Sequence, residues 1–533
     1  MQALLAAAAG ALAFLVVVGA RVLDASNIAW LAEGDSATHY LGWQFFRSAP
    51  WAFPPGANPG YGLELASSIV YSDSIPGLAL AFKPLDALLP GTFQYFGAWL
   101  LACFILQAVL GWKLMTLASE RAAVRLLGAG LIAFSPPFLW RLGVQSALAA
   151  HWLVLGALYL NLRPHDGRRL LWWALLLCAA ALVHAYLFVM AAALWAADYV
   201  ARSRRPMEPL FLGGLALSCL WLCGTFVLAP DAGALPYGLF RMNLLSPLDP
   251  SGWSHVLPDI PEGPYDYDGF NFLGLGVLLL ALAVLPKIRA GAPPRRRWPL
   301  LAVLIALALY ALSHKIAIAA TDVIIPLPER VVRVLSIFPS SGRFFWPVYY
   351  ALVVALIGLA ARSFGHRAAV GLLSLALVVQ VTDTSAAWWP KRDRLQATGK
   401  QWPSALNAPF WEAAAAKYSK LRWVPAANHS PHWRELAYYA AQHRMGTDAV
   451  YLARVDRAQI AASRSRAAQA MRSGELDEDT LYVLDPAYAG AASWEQRRAG
   501  DVLVRVDGFT VLAPGWVQSS SWMPTPTAAA AQR

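Results

Sequence analysis

Charge is scarce in this chain: only 14% of its 533 residues are Asp, Glu, Lys or Arg, and 58% are hydrophobic. A soluble domain carries about 25% charged and roughly 45–50% apolar residues, so the composition excludes an ordinary water-soluble protein and indicates a polytopic membrane one. Cysteine is scarce too. Cys103, Cys178, Cys219 and Cys223 all lie in apolar segments, so no disulfide framework is implied. Cys219 and Cys223, four residues apart, read as small apolar helix residues rather than a metal pair. Walker A, Rossmann glycine, Gly-x-Ser-x-Gly and His-Glu-x-x-His patterns are missing, which removes support for soluble nucleotide-dependent chemistry. The start, Met-Gln-Ala-Leu-Leu, lacks the positive n-region of a cleaved signal peptide and reads as a retained first span.

What is present is apolar length, tryptophan (23 residues) and a net charge of +11. The charge is distributed in short loops between apolar runs, as membrane topology requires, and makes no basic stripe with interleaved aromatics, so no nucleic-acid partner is expected. Basic groups fall at Lys113, Arg121 and Arg125, at Arg163, Arg168 and Arg169, and at Arg202, Arg204 and Arg205. Two more are Lys287, Arg289 and Arg295 to Arg297, and Arg362 with Arg367. All five are assigned to the cytoplasm. Residues 24–74 and 230–269 are acidic, each with one arginine, Arg47 and Arg241, and belong on the other side together with 314–343.

About eleven transmembrane helices follow, near 3–22, 95–117, 124–140, 146–162, 169–184, 185–201, 209–229, 270–286, 299–313, 344–361 and 367–385. The stretch 169–201 lies between two basic loops, so it must cross an even number of times, with a break near His184-Ala185-Tyr186. Segment 75–91, broken by proline, Lys83 and Asp86, reads as re-entrant or interfacial. Composition shifts near residue 386. Strands are expected at 481–484, 501–506 and 509–512 and helices at 410–418, 433–443 and 457–472. The expected fold is therefore a mainly α membrane domain, 1–385, and a small α/β extracytoplasmic domain, 386–533, with disorder from Pro524 onward. The implied location is a bacterial inner membrane, N-terminus cytoplasmic and C-terminal domain periplasmic.

The chemistry-bearing residues start directly after the first span with Glu33-Gly34-Asp35 and His39, followed by Asp73. A carboxylate at a membrane surface can take a proton from an acceptor hydroxyl, and oxygen ligands can hold a divalent cation. Mg²⁺ or Mn²⁺ on Glu33, Asp35 and Asp73 is left open. Residues 39–47 read as a short amphipathic helix on the membrane surface. Arg47 reads as a snorkelling side chain, with phosphate binding the alternative. Arg343, in Pro339-Ser-Ser-Gly-Arg-Phe-Phe-Trp-Pro347 at the mouth of a span, suits bidentate phosphate binding. His184 and His151 read first as core histidines, with His184 the better pocket candidate. Tyr265-Asp-Tyr-Asp268 reads first as a solvated loop, with acceptor or metal binding by Asp266 and Asp268 the alternative.

The stretches Glu33-Gly-Asp-Ser-Ala-Thr-His-Tyr-Leu-Gly-Trp43, Ser68-Ile-Val-Tyr-Ser-Asp-Ser-Ile-Pro76 and Ser341-Gly-Arg-Phe-Phe-Trp-Pro347, set in this layout, resemble the GT-C superfamily of membrane glycosyltransferases. The resemblance implies a polyprenyl-phosphate sugar donor, membrane lipids, and a glycan, lipid or protein acceptor. It implies Asp35 as the catalytic acid of the first outer loop, with Glu33 the alternative base and Asp73 beside them. It further implies Arg343, with Arg47 or Lys83, on the departing phosphate of an inverting single displacement. A transporter or flippase of a lipid-linked glycan, or a non-catalytic envelope scaffold, are the rival readings.

Overall fold

A computed structural model describes residues 1–202, 205–229, 232–287, 294–396, 399–491 and 500–516. The tail from Pro524, and Arg204 and Arg289 of the topology argument, lie outside the described residues. By internal contacts the chain divides into two units. The first joins Met1–Trp30, Thr92–Leu220 and Ala234–Gly399, and the second joins Leu31–Gly91, Trp221–Gly233 and Lys400–Arg533.

The first unit is helical. Five helices are long and apolar enough to cross a membrane: Phe96–Thr116, Ala122–Trp140, Ala185–Arg202, Ser341–Ser363 and His366–Leu395. Shorter apolar helices occupy Gln2–Val17, Ser146–Leu162, Arg169–Val183, Met207–Leu222 and Leu275–Lys287, and Trp298–Leu312 is a further one. A helix therefore lies in each of the eleven expected stretches, and five have the length a full crossing needs, ~20 residues. The break at His184 is a hairpin. Arg169 Nε donates to Asp198 Oδ2 at 2.7 Å and Trp173 Nε1 to the same oxygen at 2.8 Å, so the start of one helix lies beside the end of the next. Arg169 Nη1 also reaches both oxygens of Glu208, at 2.9 and 3.0 Å, and Arg202 pairs with Asp198. Two guanidiniums and two carboxylates thus cancel.

The last helix corrects the sequence boundary. It runs unbroken from His366 to Leu395, with Pro390 inside, because Ala386, Ala387, Trp388 and Trp389 continue its apolar content. The 314–343 segment, read from the sequence as an outer loop, holds an antiparallel hairpin of β1 (Lys315–Ile318) and β2 (Thr321–Ile324) and a helix, Glu329–Leu335.

Helices in this unit meet through small residues, the device by which membrane helices approach without a hydrophobic driving force. A Cβ on Gly276, in Leu275–Val284, would lie 2.0 Å from the Ala376 carbonyl oxygen of His366–Leu395. Gly276→Ala must push the pair apart, and a loss of about 1–3 kcal/mol is expected. Gly213→Ala, where nothing lies within 4 Å, should lose nothing. Thermal unfolding of both variants in detergent checks the contrast, and equal midpoints would contradict it.

The second unit contains a five-stranded sheet of β3 (Lys420–Val424), β4 (Gly446–Thr447), β5 (Thr480–Leu484), β6 (Val502–Val506) and β7 (Phe509–Ala513), in the order β4-β3-β5-β7-β6. β3 pairs in parallel with β4 and β5, while β7 pairs antiparallel with β5 and β6. Val424, Tyr482, Leu484 and Leu512 pack with Met471 of the helix Arg457–Ser473. The expected strands and helices of 410–512 are present, and β3 and β4 are additions that sequence reading did not supply.

The first acidic loop folds onto this sheet. Gly62 N donates to Thr447 O at 2.8 Å and Thr447 N to Gly60 O at 3.0 Å. Arg422 spans Glu64 through two hydrogen bonds, at 2.6 and 2.9 Å, and Trp402 stacks between Tyr40 and Tyr438. The expected surface helix 39–47 is instead Gly34–Ser48, buried from Ser36 through Arg47. Tyr40, Leu41, Trp43, Phe45 and Phe46 surround its axis, and a helix apolar on all sides is a core helix.

Candidate functional site

Three segments of the first unit converge on Asp268. Ser135-Pro136-Pro137 ends the helix Ala122–Ala133 and starts Pro136–Trp140, which delivers Arg141 at its C-terminal end. The 3-10 turn Asp266–Gly269 carries Asp268, and the turn Ser341–Phe345 carries Arg343 into the helix Trp346–Ser363. The two turns touch: a Cβ on Gly342 would lie 2.5 Å from Gly269 Cα. Asn271 Nδ2 ties them by donating to both glycine carbonyls, at 2.8 Å to Gly269 and 3.1 Å to Gly342.

Arg141 Nη1 donates to Asp268 Oδ1 at 2.8 Å, and Nη2 donates to the Asp268 carbonyl at 2.9 Å. Arg343 approaches as a fork, Nε to Oδ2 at 3.0 Å and Nη2 to Oδ1 at 3.0 Å. The three side chains are buried, with relative exposures of 2%, 10% and 5% for Arg141, Arg343 and Asp268. Burial alone would raise the Asp268 carboxyl, but Arg343 and Arg141 outweigh it and hold the group well below the usual carboxylate range. The surroundings are aromatic. Arg141 lies 4.5 Å from the Trp140 ring centroid and 5.2 Å from that of Trp346, and Arg343 lies 5.0 Å from Tyr186. Lys391 adds a third cation, 5.3 Å from the same Trp140 ring, with Nζ donating to the Trp140 carbonyl at 2.6 Å. Two guanidiniums and an amine thus gather around one carboxylate among aromatic faces. Guanidinium pairs of this kind suit an oxyanion such as phosphate.

This geometry corrects the reading of Tyr265–Asp268 as a solvated loop. Asp266 is 3% and Asp268 4% exposed, because each carboxylate is matched by arginine: Asp268 as above, and Asp266 by Arg241 Nε at 3.2 Å. His184 stands at the hairpin break, where its Nδ1 accepts from Tyr186 N at 3.2 Å, next to the aromatic wall of the cluster.

The remaining sequence candidates belong to the second unit. Glu33 is the extended residue before the helix Gly34–Ser48, and Asp35 lies in its first turn, where the helix dipole favours a carboxylate. Gly34 takes a positive φ of 56°, so a glycine between the two acids is required there. Glu33 is exposed, Asp35 half-buried and His39, one turn on, buried. The Asp73 turn is fastened to this helix: Ser74 Oγ donates to the His39 carbonyl at 2.7 Å, and the Ser72 and Ser74 hydroxyls are 2.8 Å apart. Asp73 and Ile75 both take left-handed φ values, 51° and 55°, which is costly for a β-branched residue and points to a turn held in place by its surroundings. Among the described residues no three His, Cys, Asp or Glu side chains gather as a metal site, so Glu33, Asp35 and Asp73 do not form a ligand set.

Arg47 neither snorkels nor presents its guanidinium for a phosphate. It is buried, with Nε 2.5 Å from Asp86 Oδ1 and further donors on the Pro90 and Gly91 carbonyls. Lys83 sits over the rings of Phe46 and Trp51, at 4.1 and 4.7 Å, in a turn that follows the short helix Pro76–Phe82. Arg47 is paired with Asp86 and Lys83 is seated over two rings, so of the three phosphate candidates Arg343 is the one that shares a carboxylate with a second guanidinium, that of Arg141.

Residues 7–385 match the family described as Domain of unknown function (DUF6311), and residues 410–514 match the DUF6311 C-terminal domain. The chain belongs to the DUF6311 family. No curated protein matches it. The Asp268 cluster lies wholly within the first matched region of this DUF6311 chain apart from Lys391, which follows it. Arg141 and Lys391 were missed by sequence reading, although Trp140-Arg141 after a proline pair was a local signal for the former.

One acid of the 230–269 loop is pushed up toward the neutral range. Burial, then Asp249, Asp266 and Asp259, push Glu262 up from 4.5 to about 7, against a hydrogen bond from Ser251. A carboxyl raised in the folded state binds its proton more tightly than the unfolded chain does. Its stabilising effect is full below about 4.5 and is lost as pH rises through about 7. Glu262→Gln should therefore flatten the fall in thermal midpoint from about pH 5 to about pH 8; an unchanged slope would assign that titration to another group.

Proposed function

We propose that this DUF6311 protein is an integral membrane glycosyltransferase of the GT-C type, using a polyprenyl-phosphate-linked sugar donor. The observation that carries the reading is the buried Arg141–Asp268–Arg343 cluster with Lys391 beside it, whose paired guanidiniums suit a lipid phosphate. In this reading all eleven apolar helices cross the inner membrane, the N-terminus is cytoplasmic and the C-terminal domain periplasmic. The acceptor is an envelope glycan, lipid or protein.

The chemistry is an inverting displacement. The acceptor hydroxyl gives its proton to Asp35, and its oxygen bonds to the anomeric carbon. The bond from that carbon to the phosphate oxygen breaks, and its electron pair leaves with the lipid phosphate. An oxocarbenium-like transition state is expected by analogy with glycoside hydrolysis. Arg343 and Arg141 neutralise the charge that develops on the leaving phosphate, while Asp268 keeps the two guanidiniums from repelling each other when the site holds no donor.

The test is mass spectrometry of envelope glycans and lipid-linked sugars from a deletion strain, rescued with wild type or Arg343→Gln. Loss of one sugar mass from a polymer, restored by wild type only, supports glycosyl transfer. An unchanged sugar composition with a lipid-linked glycan accumulating would instead indicate a flippase.

A further inference from the structure

A second cationic feature of the first unit lies outside the Asp268 cluster. Arg295–Arg297 form a 3-10 turn that leads directly into the helix Trp298–Leu312 and packs against the helix Ala185–Arg202. An open groove of about 740 Å³ runs between these two helices. Arg295 and Arg296 form its polar wall, and Val200, Ala201, Trp298 and Ala302 line the rest. Both arginines are exposed, and among the described residues neither takes part in an ion pair. The carboxylates of the neighbouring helix ends, Asp198 and Glu208, are already held by Arg169 and Arg202. Among the described residues no carboxylate therefore matches the positive charge at the groove.

Below the arginines the surface becomes apolar. Leu301, Ile305 and Leu309 are exposed at 36%, 51% and 63%, and their spacing of four places them along one face of the helix. Trp298, half exposed, stands between the basic mouth and this stripe, the position an aromatic ring takes at headgroup level. The amide end of Trp298–Leu312 adds positive potential at the same mouth.

We infer that this groove binds the headgroup of an anionic phospholipid. Arg295 and Arg296 hold its phosphate, and its acyl chains lie along Leu301, Ile305 and Leu309. Basic pockets between membrane helices recognise anionic headgroups in this way. A free phosphate would not engage the apolar stripe that continues from the arginines, and a zwitterionic lipid would bring no net negative charge to them. The inference does not depend on glycosyl transfer.

Native mass spectrometry of the full-length protein in detergent tests it, by titration with phosphatidylglycerol and with phosphatidylcholine of the same chains. The first phosphatidylglycerol should bind at least about tenfold more tightly than phosphatidylcholine. Arg295→Gln with Arg296→Gln should abolish that preference, the corresponding double Lys variant should keep it, and Arg330→Gln with Arg333→Gln at the distant exposed helix should also keep it. An excess of inorganic phosphate should not displace the lipid. Equal affinity of wild type for the two lipids, a preference surviving in the Gln variant, or displacement by inorganic phosphate would each overturn the assignment.

Discussion

Asp268→Ala will destabilise the protein by about 3–5 kcal/mol, because it removes the one carboxylate between two buried guanidiniums. Arg141 and Arg343 are then left as like charges in an aromatic, water-poor setting, and their donors lose a bidentate acceptor. Asp268→Asn keeps the shape and one acceptor oxygen, so a smaller loss of about 1–3 kcal/mol is expected. Thermal unfolding in detergent, followed by tryptophan fluorescence, separates the two variants. The cluster's proposed role adds a second expectation: polyprenyl phosphate should raise the midpoint of Asp268→Ala more than that of wild type, since the ligand supplies the missing negative charge. Unchanged stability in Asp268→Ala would mean that the guanidiniums find other partners, and the account of the cluster would fall.

On the proposed mechanism, Asp35→Asn lowers sugar transfer by about 10²–10⁴-fold, the range expected when a positioned general base is lost. Asn keeps the size of the side chain and its place in the first turn of the helix Gly34–Ser48, so the fold should persist and thermal stability should change little. Glu33→Gln, at an exposed position, should have a far smaller effect. The pair resolves an ambiguity that the split Glu-Gly-Asp motif leaves open. Transfer assays with detergent-purified protein and a synthetic polyprenyl-phosphate sugar provide the comparison. Full activity in Asp35→Asn would remove this residue from the chemistry, and a larger loss in Glu33→Gln would move the base to Glu33.

The helices were legible because apolar runs bounded by basic loops leave few alternatives, and even the break at His184 followed from counting crossings. The strands at 480–484, 502–506 and 509–513 were legible from alternation and β-branched content. What stayed hidden was set by long-range pairing. Arg141 and Asp268 are 127 residues apart and Arg422 and Glu64 are 358 apart, and no local pattern reports such a partner. Asp266 and Asp268 looked like loop acids because tyrosine and aspartate alternate there; arginines from distant segments allow them to be buried. Arg47 illustrates the converse. Its neighbourhood suggested an interfacial anchor, while the partner that decides its role, Asp86, lies 39 residues away. Lys391 was lost to a span boundary placed about ten residues too early, where tryptophans and alanines continue the helix through a polar stretch.

The most direct test of the central claim is the affinity of the purified protein for polyprenyl phosphate, measured by native mass spectrometry in wild type, Arg343→Gln and Arg47→Gln. The account predicts saturable binding in wild type, a loss of about tenfold or more in Arg343→Gln, and wild-type affinity in Arg47→Gln, with Arg343→Gln still folded by its thermal midpoint. Equal affinity in wild type and a folded Arg343→Gln would contradict it and place the lipid phosphate away from the Asp268 cluster.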